Sequence, residues 1–147
     1  MTESMKYEEY LDRYGSLTYA NVGVSMLPML REGKDLFTVV KKGPQRCKAG
    51  DVVLYRRGSH YILHRVIEVR EKDYVILGDN CVNREYGITD DDILGVLTCF
   101  MRDGKTITVD DPAYKRYTAW MLKSVPVRTN VKKAMIKVKR GIRKVIR

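Results

Sequence analysis

Residues 51–70 read Asp-Val-Val-Leu-Tyr-Arg-Arg-Gly-Ser-His-Tyr-Ile-Leu-His-Arg-Val-Ile-Glu-Val-Arg, two runs rich in Val, Ile, Tyr and Leu on either side of Gly58-Ser59. β-Branched and aromatic residues bounded by Gly are strand signals, because branched side chains suit a pleated surface and Gly punctuates it. The same texture extends outward to residues 17–24, 35–40, 74–77 and 93–101. Arg31-Glu-Gly33, Gly43-Pro44, Gly50-Asp51 and Gly78-Asp79-Asn80 separate these runs. Arg102-Asp-Gly104 reads as a hairpin turn into a last strand at 106–109. Many short strands with no long helix between them predict a compact, mainly β, mostly antiparallel body.

The two ends have a different period. Tyr7, Tyr10, Leu11 and Tyr14 fall at helical spacing within residues 3–14, and Gly15 follows as a C-cap. After Asp110-Asp111-Pro112, the residues Tyr114, Tyr117, Trp120 and Met121 make one apolar stripe that ends near Pro126. A second stripe joins Val131, Ala134, Met135, Val138, Ile142, Val145 and Ile146 at offsets 0, 3, 4, 7, 11, 14 and 15. The expected organisation is a short N-terminal helix at 1–16, a β body at 17–111 and a basic helical tail at 112–147.

Charge divides the same way. The formal net charge is +10, yet residues 1–112 hold 16 Lys/Arg against 18 Asp/Glu, whereas residues 113–147 hold 12 Lys/Arg and no acid. Three cysteines, Cys47, Cys81 and Cys99, are an odd number without a CxxC pair. That argues against a disulfide framework or a zinc site and suits a reducing compartment, so no metal or other cofactor is expected. No stretch approaches the ~20 apolar residues that span a bilayer. The acidic, Tyr-rich start lacks an apolar signal-peptide core, so the expected location is cytoplasmic, with peripheral membrane association through the tail as an option.

Two pieces carry chemistry: Gly23-Val-Ser25-Met-Leu-Pro28-Met, after a predicted strand, and Tyr61-Ile-Leu-His64-Arg65-Val-Ile-Glu-Val, inside one. A serine hydroxyl needs an adjacent base to become a nucleophile, and imidazole suits that task near neutral pH. Ser25 would stand at a strand-to-turn position stiffened by Pro28, while His64 shares a strand face with Ile62 and Val66. His60, ~13 Å further along an extended strand, reads as solvated surface.

Four short boxes give these residues a family likeness. Ser25-Met26-Leu27-Pro28 resembles the Ser-Met-x-Pro nucleophile motif of type I signal peptidases and their LexA-like relatives. Gly50-Asp51-Val52-Val53 is similar to that family's Gly-Asp strand start, and Leu77-Gly78-Asp79-Asn80 to its Gly-Asp-Asn box. His64-Arg65-Val66-Ile67 occupies the slot that holds Lys-Arg-Val in bacterial-type enzymes and His-Arg-Val in endoplasmic-reticulum and archaeal types. The ordered boxes cover about residues 17–100.

The resemblance implies a coiled β-structure of small antiparallel sheets, so that the β body at 17–111 would be a peptidase domain. It also implies a Ser-His serine endopeptidase that cleaves a peptide or protein substrate beside small residues. A carboxylate would orient His64. Ungapped comparison with the eukaryotic-type enzymes points to Glu85, and Asp79 competes with it; Asp90, Asp91 and Asp92 read instead as a solvated turn. Asp79 has a purely structural alternative, bonding its own turn backbone. The backbone N–H of Ser25 would serve the oxyanion. Met26 and Pro28 are candidates for contact with substrate, although packing under the loop is the favoured job for Met26 and for Met29. Arg65 is expected to pair with a carbonyl or carboxylate of the body.

Two other readings compete. One is a self-cleaving regulator of the LexA type; the other is a non-catalytic β module that binds peptides or membranes. In the tail, Lys132, Lys133, Lys137, Lys139, Arg140, Arg143, Lys144 and Arg147 flank the apolar stripe and would meet an anionic membrane surface. A helix packed on the body is the next reading, and a nucleic-acid-binding arm ranks last.

Overall fold

The computed structural model describes residues 6–146; residues 1–5 of the expected N-terminal helix and Arg147 of the expected cationic tail lie outside the described residues. In chain order the elements are α1 (Tyr7–Tyr14), β1 (Ser16–Ala20), β2 (Leu36–Lys41), β3 (Val52–Arg57), β4 (His60–Val69), β5 (Tyr74–Leu77) and β6 (Glu85–Ile88). A 3₁₀ turn (Asp90–Asp92), β7 (Ile93–Arg102), β8 (Lys105–Thr108), α2 (Pro112–Lys123) and α3 (Val125–Ile146) complete it. The body is thus mainly antiparallel β, with helices at both ends.

The strands do not divide into several small sheets as expected. They form one eight-stranded sheet in the order β1-β2-β7-β3-β4-β5-β6, with β8 also on β7. The reason lies in β7, which is long enough to serve several partners. It pairs with β2 from Gly95 to Met101, with β3 from Ile93 to Val96, and with β8 from Cys99 to Arg102. Register shifts at Thr38/Val39, Leu54/Tyr55 and Val66/Glu68 interrupt the ladders. Such bulges bend and twist a sheet without dividing it.

β3 explains why the sheet has two cores. Its first four residues are all buried, and a strand's side chains alternate between faces. Val52 and Leu54 join a cluster with Leu11, Met26, Leu30 and Phe100, whereas Val53 and Tyr55 join one with Val66, Tyr74 and Ile76. A strand covered on both faces reads as an unbroken apolar run, which is what residues 52–55 are.

Local details follow the turn chemistry. Asp103 and Gly104 have φ of 52° and 77°, so Arg102 and Lys105 pair across a two-residue hairpin turn with both central residues left-handed. The Gly15 amide closes α1 on Leu11 O at 2.8 Å. The expected strand at 17–24 stops at Ala20, and β6 is a strand that the sequence pattern does not announce, since Glu-Tyr-Gly-Ile lacks a β-branched run. In the turn at 90–92 Asp91 is exposed as expected, but its two neighbours also bond within the body. Asp92 accepts from Thr89 N at 2.9 Å, and Asp90 accepts from the Tyr74 hydroxyl at 2.5 Å.

Asp111 caps α2 by accepting from Ala113 N (2.9 Å) and Tyr114 N (3.1 Å). Tyr114 and Met121 are buried under this helix, but Trp120 is 62% exposed. Helix α3 begins before Pro126, which is tolerated in a first helical turn because its missing N–H would have no intrahelical partner there. Val125 and Thr129 at the root of α3 are buried, but from Lys133 to Val145 every residue is exposed, so this distal part of the helix is not packed on the body. Among the described residues no helix is long and apolar enough to cross a membrane.

One ion pair ties these parts together. Arg65 on β4 and Asp79 after β5 have side chains only 1% exposed and form two bonds, Nε to Oδ1 at 2.8 Å and the second guanidinium nitrogen to Oδ2 at 2.9 Å. The remaining guanidinium nitrogen donates to Gly50 O (2.8 Å) and to Thr118 Oγ1 (3.2 Å), and the Tyr117 hydroxyl donates to Asp79 at 2.7 Å. Removing one partner would leave an uncompensated buried charge. Asp79→Ala is therefore expected to lower stability to urea by about 3–5 kcal/mol, and the paired change Arg65→Met with Asp79→Leu to lose much less.

Candidate active site

Ser25 lies in the loop between β1 and β2, at the start of a tight turn that Leu30 N closes on Met26 O at 2.9 Å. The loop is closed at its base by Asn21, which is buried. Asn21 donates its side-chain amide to Gly23 O (3.3 Å) and Leu30 O (3.4 Å) and its backbone N–H to Asp35 O (2.9 Å). Arg102 donates to Met29 O at 3.2 Å from β7. Ser25 itself is half-buried.

The Gly78-Asp79-Asn80 segment holds this loop from the other side. Asn80 donates its backbone N–H to Ser25 O at 2.8 Å and its side chain to Val24 O at 3.0 Å. Gly78 is where the pieces meet. A Cβ at that position would lie 2.8 Å from Ser25 O, 2.9 Å from His64 Nε2 and 2.7 Å from Cys81 Sγ, so only hydrogen fits there. The Ser25 backbone and the imidazole Nε2 therefore converge on one glycine. Among the described residues no hydrogen bond joins the Ser25 hydroxyl to His64, and free active sites are commonly looser than occupied ones.

His64 is half-buried, and its pKa is lowered to about 4. Burial is the main cause and the positive charge of Arg57 adds to it, while Glu85 and Asp79 oppose it. The other ring nitrogen, Nδ1, lies 3.4 Å from the Tyr55 hydroxyl. That hydroxyl donates to Glu85 Oε2, and Arg57 Nε donates to Glu85 Oε1 at 2.8 Å. Arg57 is also the chief reason that the Glu85 carboxyl sits below its usual range. Since the Tyr55 proton points at Glu85, its oxygen is left to accept from His64. The network thus assigns the proton to Nδ1 and leaves the Nε2 lone pair facing Gly78 and the Ser25 loop.

This arrangement corrects the sequence reading of the third member. Neither carboxylate touches the imidazole directly. Asp79 is taken up by Arg65 and Tyr117, not by its own turn, and Glu85 reaches His64 only through Tyr55. Tyr55 and Arg57 carry no sequence signal of a place in the site and lie within an ordinary apolar-and-basic run. The hairpin register reveals them: Val53 faces His64 and Tyr55 faces Ile62, so Tyr55 sits diagonally from His64 on one face. Their ring centroids are 6.2 Å apart.

Met26 is a second correction. It is 1% exposed, packs in the core, and its sulfur accepts from Asp79 N at 3.4 Å, so it has no surface to offer a substrate. Pro28 is exposed and borders two grooves. One, of about 490 Å³, is lined by Met29, Phe100, Arg102, Tyr114 and Tyr117; the other, of about 710 Å³, runs past Leu27, Asn80, Cys81 and Trp120. Arg65 behaves as expected, paired inside the body.

No protein-family model and no curated protein matches the chain. The four boxes and their geometry therefore stand on this sequence and structure alone.

His64 should titrate with a midpoint near 4 in a proton NMR titration of its ring signals. Because folded His64 binds its proton more weakly than the ~6.5 of an unfolded chain, its contribution to stability is complete above that pH. It declines as pH falls towards 4. Nitrogen-15 spectra should show one tautomer, protonated at Nδ1, in the wild type and a mixture in Tyr55→Phe.

Proposed function

We propose that the chain is a serine endopeptidase of the signal-peptidase type, with Ser25 as nucleophile and His64 as general base. The observation that carries this reading is the convergence of the Ser25 loop and His64 Nε2 on Gly78, within four boxes in the family's order.

In the proposed reaction an extended peptide lies along the groove beside Pro28 with its scissile carbonyl at Ser25. His64 Nε2 takes the serine proton as Oγ attacks the carbonyl carbon, and the oxygen's negative charge is met by the Ser25 backbone N–H. The imidazolium then gives that proton to the leaving amine as the C–N bond breaks, which leaves an acyl-enzyme on Ser25. Water then attacks the ester carbonyl as Nε2 accepts its proton. The imidazolium returns that proton to Oγ as the acyl C–Oγ bond breaks, releasing the acid product and regenerating the serine. Tyr55 and Glu85 work from behind: the hydroxyl holds Nδ1–H, and the carboxylate polarises the hydroxyl as positive charge develops on the ring.

A pKa near 4 keeps His64 unprotonated at neutral pH, ready to accept. It also makes the ring a weak base, so transfer depends on a substrate that excludes water and strengthens the Tyr55–Glu85 support. Arg57 opposes the imidazolium and Glu85 offsets Arg57. The low proton affinity and the absent Ser25–His64 bond favour one rival, a non-catalytic module that binds peptides in the same cleft. A self-cleaving regulator would use the same residues on its own chain.

The test is mass spectrometry of peptides bearing Ala-x-Ala, incubated with wild type, Ser25→Ala and His64→Ala between pH 4 and 9. Hydrolysis is expected from the wild type. Either variant should lose it by on the order of 10³-fold or more. The acidic limb of kcat/KM should fall near pH 4, not near the ordinary imidazole value. Absence of both cleavage and an acyl adduct on Ser25 would sink the peptidase reading in favour of the binding module. Fragments of the chain's own sequence would instead favour self-cleavage.

A further inference from the structure

Among the described residues, helix α3 leaves an apolar stripe exposed. Val127, Val131, Met135, Val138, Ile142 and Val145 are between 52% and 85% exposed. At ~100° of turn per residue they fall within an arc of about 100°, the width of one amphipathic face. Arg128, Lys132 and Lys139 border that arc on one side, and Lys137 and Lys144 on the other. Residues 113–147 carry 12 cations and no carboxylate.

We propose that this face of α3 docks on an anionic lipid bilayer, lying flat in the headgroup region with its apolar side chains in the acyl boundary. The charge pattern selects this occupant. A second copy pairing stripe to stripe would bring two cationic helices together with no acid to neutralise either. A nucleic acid would satisfy the cations but leave six large apolar side chains in water. An anionic interface satisfies both, and a helix of this composition is the kind that binds there.

The stripe also leads to the site. Val127, Val131 and Met135 form one wall of the groove of about 710 Å³ whose other wall holds Leu27, Pro28 and Cys81 of the Ser25 region. Lys132 donates to Asn80 Oδ1 at 2.5 Å and Arg128 to Asp79 O at 2.9 Å, which fastens the root of α3 to the Gly78–Asn80 segment. A bilayer bound along the distal stripe would therefore border the cleft. On the peptidase reading, the substrates are chains held at that lipid surface.

The experiment uses the full chain carrying Ser25→Ala, so that binding is read without turnover. Trp120 is the single tryptophan and lines the same groove, which makes it an internal probe. Vesicles of phosphatidylcholine, alone or with about one third phosphatidylserine, are titrated while fluorescence and co-sedimentation are followed. Binding to the anionic vesicles at least about tenfold tighter than to the neutral ones, weakened by salt, is expected. Val138→Glu with Ile142→Glu should lose that binding by about tenfold or more with helix content and thermal midpoint unchanged, because both positions are exposed. Lys137→Glu with Lys144→Glu should lose the preference for anionic lipid.

No binding to either vesicle, equal binding by the Val138/Ile142 variant, or a stripe-dependent dimer in sedimentation velocity would overturn the proposal. So would binding of a short nucleic-acid duplex that the Val138/Ile142 variant retains in place of vesicle binding. The two readings separate cleanly. Vesicle binding without any peptide cleavage supports docking and counts against the peptidase, whereas cleavage of soluble peptide without vesicle binding does the reverse.

Discussion

A guanidinium buried at the crossing of five segments holds this molecule in register. Arg65 reaches Asp79 after β5, Gly50 before β3 and Thr118 on α2, and its second terminal nitrogen also lies 3.5 Å from the sulfur of Met29 below the Ser25 loop. Its charge plane lies over the rings of Tyr114 and Tyr117, with centroids 5.8 and 5.6 Å from the guanidinium carbon. A cation taken out of water is tolerated only where its donors find partners. Each segment that supplies one is thereby fixed relative to β4, and β4 carries His64 on the neighbouring residue. The same side-chain network that keeps the charge buried thus sets where the imidazole stands.

Around His64 the structure separates two jobs that a single carboxylate could have shared. Asp79 neutralises Arg65, and Glu85 supports the imidazole from a distance through Tyr55. The interposed hydroxyl changes the electrostatics. A carboxylate in direct contact would raise the proton affinity of the ring. Here burial and Arg57 prevail and lower it. The ring is accordingly held neutral, in one tautomer, with its free nitrogen aimed at the only position along the Gly-Asp-Asn segment that lacks a side chain.

The division of charge along the chain matches a division of architecture. Up to residue 112 acids and bases nearly balance, and many of them pair, as do Arg31 with Asp35, Arg56 with Glu8 and Arg57 with Glu85. Beyond it the cations have no acidic neighbour in sequence. Arg128 and Lys132 at the root of α3 find oxygen atoms of the body, whereas Lys133, Lys137, Lys139, Arg140, Arg143 and Lys144 project from its exposed part. Mutual repulsion of these cations disfavours folding back on themselves and leaves the helix available to an external anionic surface.

Sequence alone determined the class of the body, the helices at both ends, the segregation of charge and the pieces that meet at the site. Each of these depends on local pattern: the runs of Val, Ile, Leu and Tyr in 51–70, the helical spacing near 7–14 and 131–145, and short boxes that resemble those of a known family. It did not determine which strands share β7, that the sheet is one, or that β6 exists, because pairing is a choice among partners distant along the chain. Nor could it rank Glu85 against Asp79, or remove Met26 from the cleft. Those depend on which buried group each side chain meets. Tertiary structure decided them through two facts invisible to spacing: Asp79 was claimed by the buried Arg65, and the hairpin register set Tyr55 between Glu85 and His64.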